Sequence, residues 1–280
     1  TGPLMNARFL QAADEQSRRL AGQYLELLPV KIADSVRLAA SRLAPARVSS
    51  ATGREESLVF YRRFLMKDGT VRFNPGKLNP DIVRPTGTPD PDLQVVYLEH
   101  AGPKPASSGE AGAPLATYVN YALHLDTVGG TRYSADYPWA LRRLLERARP
   151  EMFTVFTIGA AGNINHVDVQ SKAPQKGPEE AERIGTVLAA EVLKTYTRLT
   201  AVEMPEVRAR SELVPLEVPA FTAEEVAWAR QTAAGFARPE QVFLDMVRAF
   251  KILDVASREG RPIQAEVQVV TLGSQVAWVG

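Results

Sequence analysis

Two of the three histidines in this 280-residue chain stand two positions before an aspartate, as His124-Leu125-Asp126 and His166-Val167-Asp168. Each pattern follows a run that reads as a buried strand, Leu-Ala-Thr-Tyr-Val-Asn-Tyr-Ala-Leu over 115–123 and Met-Phe-Thr-Val-Phe-Thr-Ile over 152–158. The second run is joined to His166 by the turn Gly-Ala-Ala-Gly-Asn-Ile-Asn over 159–165. In extended backbone, residues two apart point to one face, so each imidazole is expected to have a carboxylate beside it. Such a neighbour fixes the tautomer and raises ring basicity, which suits a metal ligand or a general base. In α/β sheets, sites gather at the carboxyl ends of strands, which makes these two strand ends the candidate site. The structural alternatives are a satisfied, partly buried His124 and an Asp168 that caps a turn beside an exposed His166. Asp136 follows His124 closely, after a Gly129-Gly130 pair that lets the backbone turn sharply. Arg62 and Arg63 interrupt the apolar run 60–64. Adjacent strand positions face opposite ways, so one arginine is expected to point inward and to need an anionic partner. His100 ends a strand and reads as plain surface.

Several chemistries are excluded or unsupported. Cysteine is absent, which rules out disulfides, thiol catalysis and cysteine-ligated metal. There is no G-x-S-x-G elbow, no H-E-x-x-H and no P-loop. Gly159-Ala-Ala-Gly162 lacks the third glycine and the downstream acid of a dinucleotide loop, so turn duty or close approach to a ligand is expected there. A net charge of +1 gives no overall electrostatic reason to expect nucleic acid or an anionic membrane as partner. No apolar run approaches the ~20 residues of a membrane span. Hydrophobic content of 45% and charged content of 23% suit a globular chain with ample length for a core. The chain opens on Thr1 rather than Met, which suggests a processed or trimmed start.

These residues must be positioned by strands and helices, and the pattern predicts both. The first fifty residues read as a long amphipathic helix, with Leu20, Tyr24, Leu28, Ile32, Val36, Ala39 and Leu43 at steps of three or four, kinked or split at Pro29. Strands are expected over 58–65 and 70–73, joined by a hairpin at Asp68-Gly69. The segment 74–92, with Pro75, Pro80, Pro85, Pro89 and Pro91, is expected to be a stiff or functional loop and no central strand. A Gly/Ala/Ser/Pro-rich connection over 101–114 separates strands 93–99 and 115–123. Helices are predicted over 138–148, 179–200, 222–234 and 239–257, and closing strands over 263–272 and 275–279. Residues 152–158 read as a strand buried on both faces. Hairpin strands mixed with strand–helix alternation predict an α/β fold, a mixed sheet covered by helices.

The assembled blocks resemble the neutral/alkaline, non-lysosomal ceramidase family, in particular its bacterial ceramidase-like branch. The resemblance spans the chain and rests on five blocks: 61–76, Asn79-Pro-Asp-Ile-Val-Arg-Pro85, Asn120-Tyr-Ala-Leu-His-Leu-Asp126, Ser134-Ala-Asp-Tyr-Pro138 and Gly159-Ala-Ala-Gly-Asn-Ile-Asn-His166. It implies a portion of a single catalytic domain of mixed sheets and helices over 1–280, incomplete at both ends. It also implies a zinc-dependent amidase of sphingolipid metabolism, cleaving the N-acyl bond of ceramide or a related lipid amide outside the cytoplasm. By position, His124 is similar to the family's zinc-ligating histidine and Arg62 to its substrate-side arginine, although Tyr61 precedes it where many members have Asn. Asn165 stands at the family's serine position and is followed by His166 rather than proline. Asparagine is no hydroxyl nucleophile, but it can hydrogen-bond an oxyanion. Thr1-Gly-Pro-Leu resembles the stretch after the family's His-x-His zinc segment, and Val276-Ala-Trp-Val-Gly280 the strand before its glutamate ligand. The expectation is that Arg62 and Asn165 stabilise developing charge while His166 and Asp168 move a proton. The rivals are a diverged homologue that binds a lipid or sugar amide without cleaving it, and a zinc hydrolase of another amide or ester. Oligomeric state has no signature here.

Overall fold

A computed structural model describes residues 3–101, 112–236, 238 and 240–280. The chain divides into two compact units, one of Thr1–Leu43, Arg208–Val270 and Ala277–Gly280, the other of Ala44–Val207 and Thr271–Val276. The first begins with helices α1 (Pro3–Ala12) and α2 (Glu15–Ser41). The split expected at Pro29 falls instead at Asp14, whose carboxylate accepts the Ser17 amide at 2.8 Å and caps α2. Pro29 stays inside α2. It forfeits a single backbone hydrogen bond, and complete turns on either side carry the helix through it.

The second unit contains the strands β1 (Ala46–Arg54), β2 (Phe60–Tyr61), β3 (Arg63–Met66), β4 (Val71–Phe73), β5 (Ile82–Pro85), β6 (Asp92–His100) and β7 (Pro114–Tyr121). Helix α3 (Tyr137–Ala148), β8 (Phe153–Ile158), β9 (Ile164–Asn165), α4 (Pro178–Thr195) and β10 (Thr200–Ala201) complete it. The strand run expected over 58–65 is thus divided at Arg62, and β5 lies within the proline-rich stretch as the edge of a small β4-β3-β5 sheet, the position that tolerates proline. Asp68-Gly69 makes the β3–β4 turn, with Gly69 at φ +80°.

The main sheet has the order β10-β1-β6-β7-β8. Its pairs are antiparallel except β7 with β8, which are parallel and joined through α3, as a parallel pair requires a crossover. Alternate residues of β6 and β7, Leu93, Val95, Tyr97, Val119 and Tyr121, pack against Leu141 and Leu145 of α3 and Ile184, Leu188 and Val192 of α4. That is the mixed sheet with covering helices that the sequence pattern predicts. One expectation needs correction. Strand β8 is an edge strand and is not buried on both faces, since Phe153 and Val155 are 55% and 38% exposed while Thr154 between them is buried. The apolar run marks one covered face and one uncovered face.

Later in the chain come β11 (Val207–Leu216), α5 (Ala223–Ala234), α6 (Phe243–Ala256), β12 (Ile263–Leu272) and β13 (Val276–Val279). A capping box of Thr222 and Glu225 starts α5, and the three strands form a sheet in the order β11-β12-β13. The connection expected over 101–114 lies outside the described residues for 102–111, as does Pro239 of the helix expected over 239–257. No described helix is long and apolar enough to cross a membrane.

The α3–α4 contact depends on Gly185. A Cβ there would lie 2.5 Å from both the Ala140 Cβ and the Tyr137 carbonyl oxygen, and 2.8 Å from the Leu141 amide. Gly185→Ala is therefore expected to destabilise the second unit by about 1–3 kcal/mol through overpacking, read as a lowered midpoint in chemical denaturation. An unchanged midpoint would mean the helices slide apart at no cost.

Candidate functional site

The parallel pairing of β7 with β8 sets Tyr121 opposite Ile158, so both strands end at the same edge. The Gly159 amide then donates to the Tyr121 carbonyl at 3.0 Å, tying together the two loops as they leave the sheet. A Cβ on Gly159 would come within 3.0 Å of Asn120 Oδ1 and 3.2 Å of the Ala122 Cα. Glycine is what permits this approach. The loop after β7 carries His124 and Asp126, and the loop after β8 leads into β9, His166 and Asp168.

Strand β9 pairs antiparallel with β2, Tyr61 opposite Ile164 and Phe60 opposite Asn165. This pairing delivers Arg62. Its amide donates to the Asn163 carbonyl at 2.9 Å, and its guanidinium donates to the Gly162 carbonyl through Nη2 at 2.8 Å and Nε at 3.2 Å. Of the two arginines, Arg62 is half-buried and Arg63 exposed, as strand alternation requires. Burial lowers the Arg62 pKa, the field of Asp126 opposes this, and Arg63 adds to the lowering. The guanidinium also lies over the Phe73 ring, 4.4 Å from its centre.

His166 is the most enclosed of the candidate side chains at 4% exposure, alongside Asn165. Its Nε2 lies 2.8 Å from the Gln175 carbonyl oxygen. A carbonyl only accepts, so Nε2 carries a hydrogen. The buried Nδ1 faces Asp126 Oδ1 at 3.4 Å, an ion-pair contact longer than a normal hydrogen bond. Two lone pairs facing one another at that distance repel, and a proton on Nδ1 removes the repulsion. Burial disfavours the charged ring, but the Asp126 carboxylate and the Gln175 carbonyl outweigh it and raise His166 above the ordinary histidine value of 6.5. Asp126, 52% exposed at its side chain, is lowered in turn by the His166 ring against some desolvation, with further help from His124 and Arg62. His124 is half-buried, and its Nδ1 is buried without a hydrogen-bond partner.

The two histidine–aspartate patterns are therefore crossed. The aspartate beside His166 is Asp126 from the neighbouring loop, while Asp168 Oδ1 accepts the Gln170 amide at 2.8 Å in a local turn. Strand β9 ends at Asn165, so residues 166–168 leave the extended geometry on which same-face pairing depends. Asp126 meets the His166 ring at 3.4 Å and stands in the field of Arg62 and of His124, two residues before it. Asn165 has a different setting: its Nδ2 donates to Asn74 Oδ1 at 2.9 Å and its Oδ1 accepts the Val167 amide at 3.0 Å. Asp136 caps α3 through the Tyr137 amide and accepts the Val128 amide at 2.9 Å, pinning the far side of the His124 loop. Sequence reasoning did not single out Asn74 or Gln175. Asn74 at least falls inside the block 61–76, whereas Gln175 meets His166 through its backbone carbonyl and Asp168 through its side chain, which accepts the Asp168 amide at 2.8 Å and donates to the Asp168 carbonyl at 3.2 Å.

Among the described residues, no three His, Asp or Glu side chains are grouped so as to hold a metal ion. The donor that fits one is His124, whose orphaned buried Nδ1 lacks any protein partner.

The class defined by this architecture is an α/β fold whose mixed sheet is covered by helices on one face and presents its loops at the ends of two parallel strands. That fold is the one seen in ceramidases. A crystal structure of neutral ceramidase from Pseudomonas aeruginosa is similar with a TM-score of 0.54 at 15% identity, over 88% of this chain and 41% of that chain. A ceramidase complexed with C2 is similar with a TM-score of 0.54 at 15% identity, over 86% and 42%. The chain thus spans less than half the length of those structures. No protein-family model matches it, and no curated protein matches it in sequence.

The crossed pairing is open to direct measurement. Asp126→Asn is expected to lower the His166 pKa, read from ring ¹⁵N shifts across a pH series, whereas Asp168→Asn should leave it unchanged. Because the folded value is raised, the pair stabilises the fold fully below the unfolded histidine value near 6.5, and this contribution is lost as pH rises through the folded value. An unshifted His166 titration in Asp126→Asn would refute the pairing.

Proposed function

We propose that this chain is the sheet-and-site portion of a ceramidase-like hydrolase that cleaves the N-acyl amide of ceramide or a related lipid. The observation that carries the proposal is the convergence of Arg62, His124, Asp126 and His166 at the carboxyl ends of β7 and β8, within a fold shared with ceramidases. Placement outside the cytoplasm belongs to the same proposal, through the family resemblance.

In this proposal His124 contributes its free nitrogen to a zinc ion, with further ligands from beyond the described residues. Bound zinc polarises a carbonyl and brings the pKa of its water to about 7. Arg62 supplies a fixed positive charge toward the oxyanion that develops on the amide carbonyl, held in place by its fork on the Gly162 carbonyl. His166 holds a proton on Nδ1 against Asp126, and because its Nε2 is committed to the Gln175 carbonyl, that proton reaches the leaving amine by way of the partly exposed Asp126 carboxylate. Asp126 orients the ring in the role the sequence pattern assigns to Asp168. Asn165 holds the loop that carries Arg62's carbonyl partner, and one amide hydrogen of its Nδ2 remains for a substrate oxygen.

A second proposal has its own support. Asn165 stands at the family's serine position with both polar ends engaged, so a homologue that binds a lipid amide without cleaving it fits the same site. Incubating the full-length protein with an N-acylsphingosine and measuring released fatty acid separates the two. Turnover is expected, with about 10²–10³-fold loss of kcat in Arg62→Ala, the usual range for removing an oxyanion donor. His124→Ala is expected to lose bound zinc by elemental analysis as well as activity. Saturable binding with no released fatty acid after long incubation would favour the non-cleaving reading.

A further inference from the structure

The loop over 123–128, which carries His124 and Asp126, is held from both ends by the residues that start α3. Buried Tyr137 donates its hydroxyl to the Leu123 carbonyl at 2.7 Å, one residue before His124. Burial pushes the Tyr137 phenol well above its ordinary value, with Asp136, Tyr121 and Asp126 adding to the rise, so the hydroxyl keeps the hydrogen it donates. Its ring stands edge-on to Phe156 of β8, the centres 5.5 Å apart, which ties the loop to the parallel strand pair. At the other end, Asp136 Oδ2 accepts the Val128 amide at 2.9 Å while Oδ1 accepts the Tyr137 amide at 2.8 Å. Between these ties the Thr127 carbonyl accepts the Gly177 amide at 2.9 Å, two residues after the Gln175 carbonyl that meets His166.

Asp136 carries more strain than helix capping requires. Its backbone lies at φ +55° and ψ −153°, close to a region that glycine alone adopts freely. The caps of α2 and α5, Asp14 and Thr222, do the same duty from ordinary extended backbone at φ −65° and −69°. Asp136 is also buried, at 7% exposure, with a backbone amide on each carboxylate oxygen. What distinguishes it is the second oxygen, which reaches past the helix to the site loop.

We propose that Asp136 and Tyr137 are positioning residues for amide hydrolysis, which hold the 123–128 loop so that His124 and Asp126 stand correctly toward the substrate and His166. Neither residue touches the reacting atoms. They act through the backbone, one at the carbonyl before His124 and the other at the amide two residues after Asp126. Side chains that fix the orientation of a site's own groups commonly matter to turnover nearly as much as those groups do. The catalytic meaning rests on the lipid-amide reading, whereas the hold on the loop does not.

The test uses the full-length protein with Tyr137→Phe, which deletes one oxygen and keeps the ring, and Asp136→Gly, which deletes the carboxylate and relieves the backbone. In each, the ring ¹⁵N resonances of His124 and His166 are expected to move while that of His100 stays. His100 serves as the control because Glu99 beside it pairs with Pro114, at the far end of β7 from the site. Hydrolysis of an N-acylsphingosine is expected to lose about 10–100-fold in kcat in each variant, with KM changed by less than about twofold. A chemical denaturation midpoint on each variant confirms that it is folded. Folded variants with wild-type kcat and unmoved His124 and His166 resonances would overturn the proposal, leaving Asp136 a helix cap and Tyr137 a core side chain. Moved resonances in a protein whose wild type releases no fatty acid would support the hold on the loop and count against the hydrolase reading alone.

Discussion

The parallel pairing of β7 with β8 is the constraint on which the site depends. A parallel pair needs a crossover, and α3 provides it by returning the chain so that both strands end on one edge. Four candidate side chains then arise from segments far apart in sequence yet meet within one small region. The Gly159–Tyr121 hydrogen bond fixes the spacing between the loops, and the β2–β9 ladder brings Arg62 into the same place. Without the parallel register, the two histidines would lie on unrelated edges.

Charge at the site is arranged in a particular order. A partly exposed Asp126 faces a buried imidazole whose other nitrogen is committed to a backbone carbonyl, and a half-buried guanidinium lies within range of the same carboxylate. One carboxylate thus serves three cationic or potentially cationic groups, Arg62, His124 and His166. Burial makes each interaction stronger than it would be in water. The solvent-exposed side of Asp126 keeps the anion hydrated and avoids the cost of a fully buried carboxylate.

Much of this was legible in the residues, because strand runs such as 93–99 and 115–123 are apolar-rich and bounded by Gly- and Pro-rich segments, and helices 138–148 and 222–234 carry their own start signals in Pro138 and Thr222. The strand ends as the place for His124 and His166 were legible for the same reason. What composition could not convey is register across chain-distant segments. The partner of His166 depends on how two loops lie side by side, and local spacing points to Asp168 because it describes an extended backbone that stops at Asn165. Strand β8 misleads in a related way, since an apolar run reports hydrophobicity and not whether both faces are covered. The Gln175 carbonyl left no trace, as any residue offers one, and its carboxamide contacts to the Asp168 backbone depend on the loop's fold and not on a local pattern.

The hydrogen bond between Asn165 and Asn74 has a mechanical consequence. It ties the end of β9 to the residue that follows β4, so that a displacement of the small β4-β3-β5 sheet is passed to the segment that carries His166. Asn74 adopts the left-handed backbone conformation at φ +46°, which asparagine takes up more readily than most residues. The segment that carries His166 is thus steadied from a second sheet, at a residue outside the charged cluster.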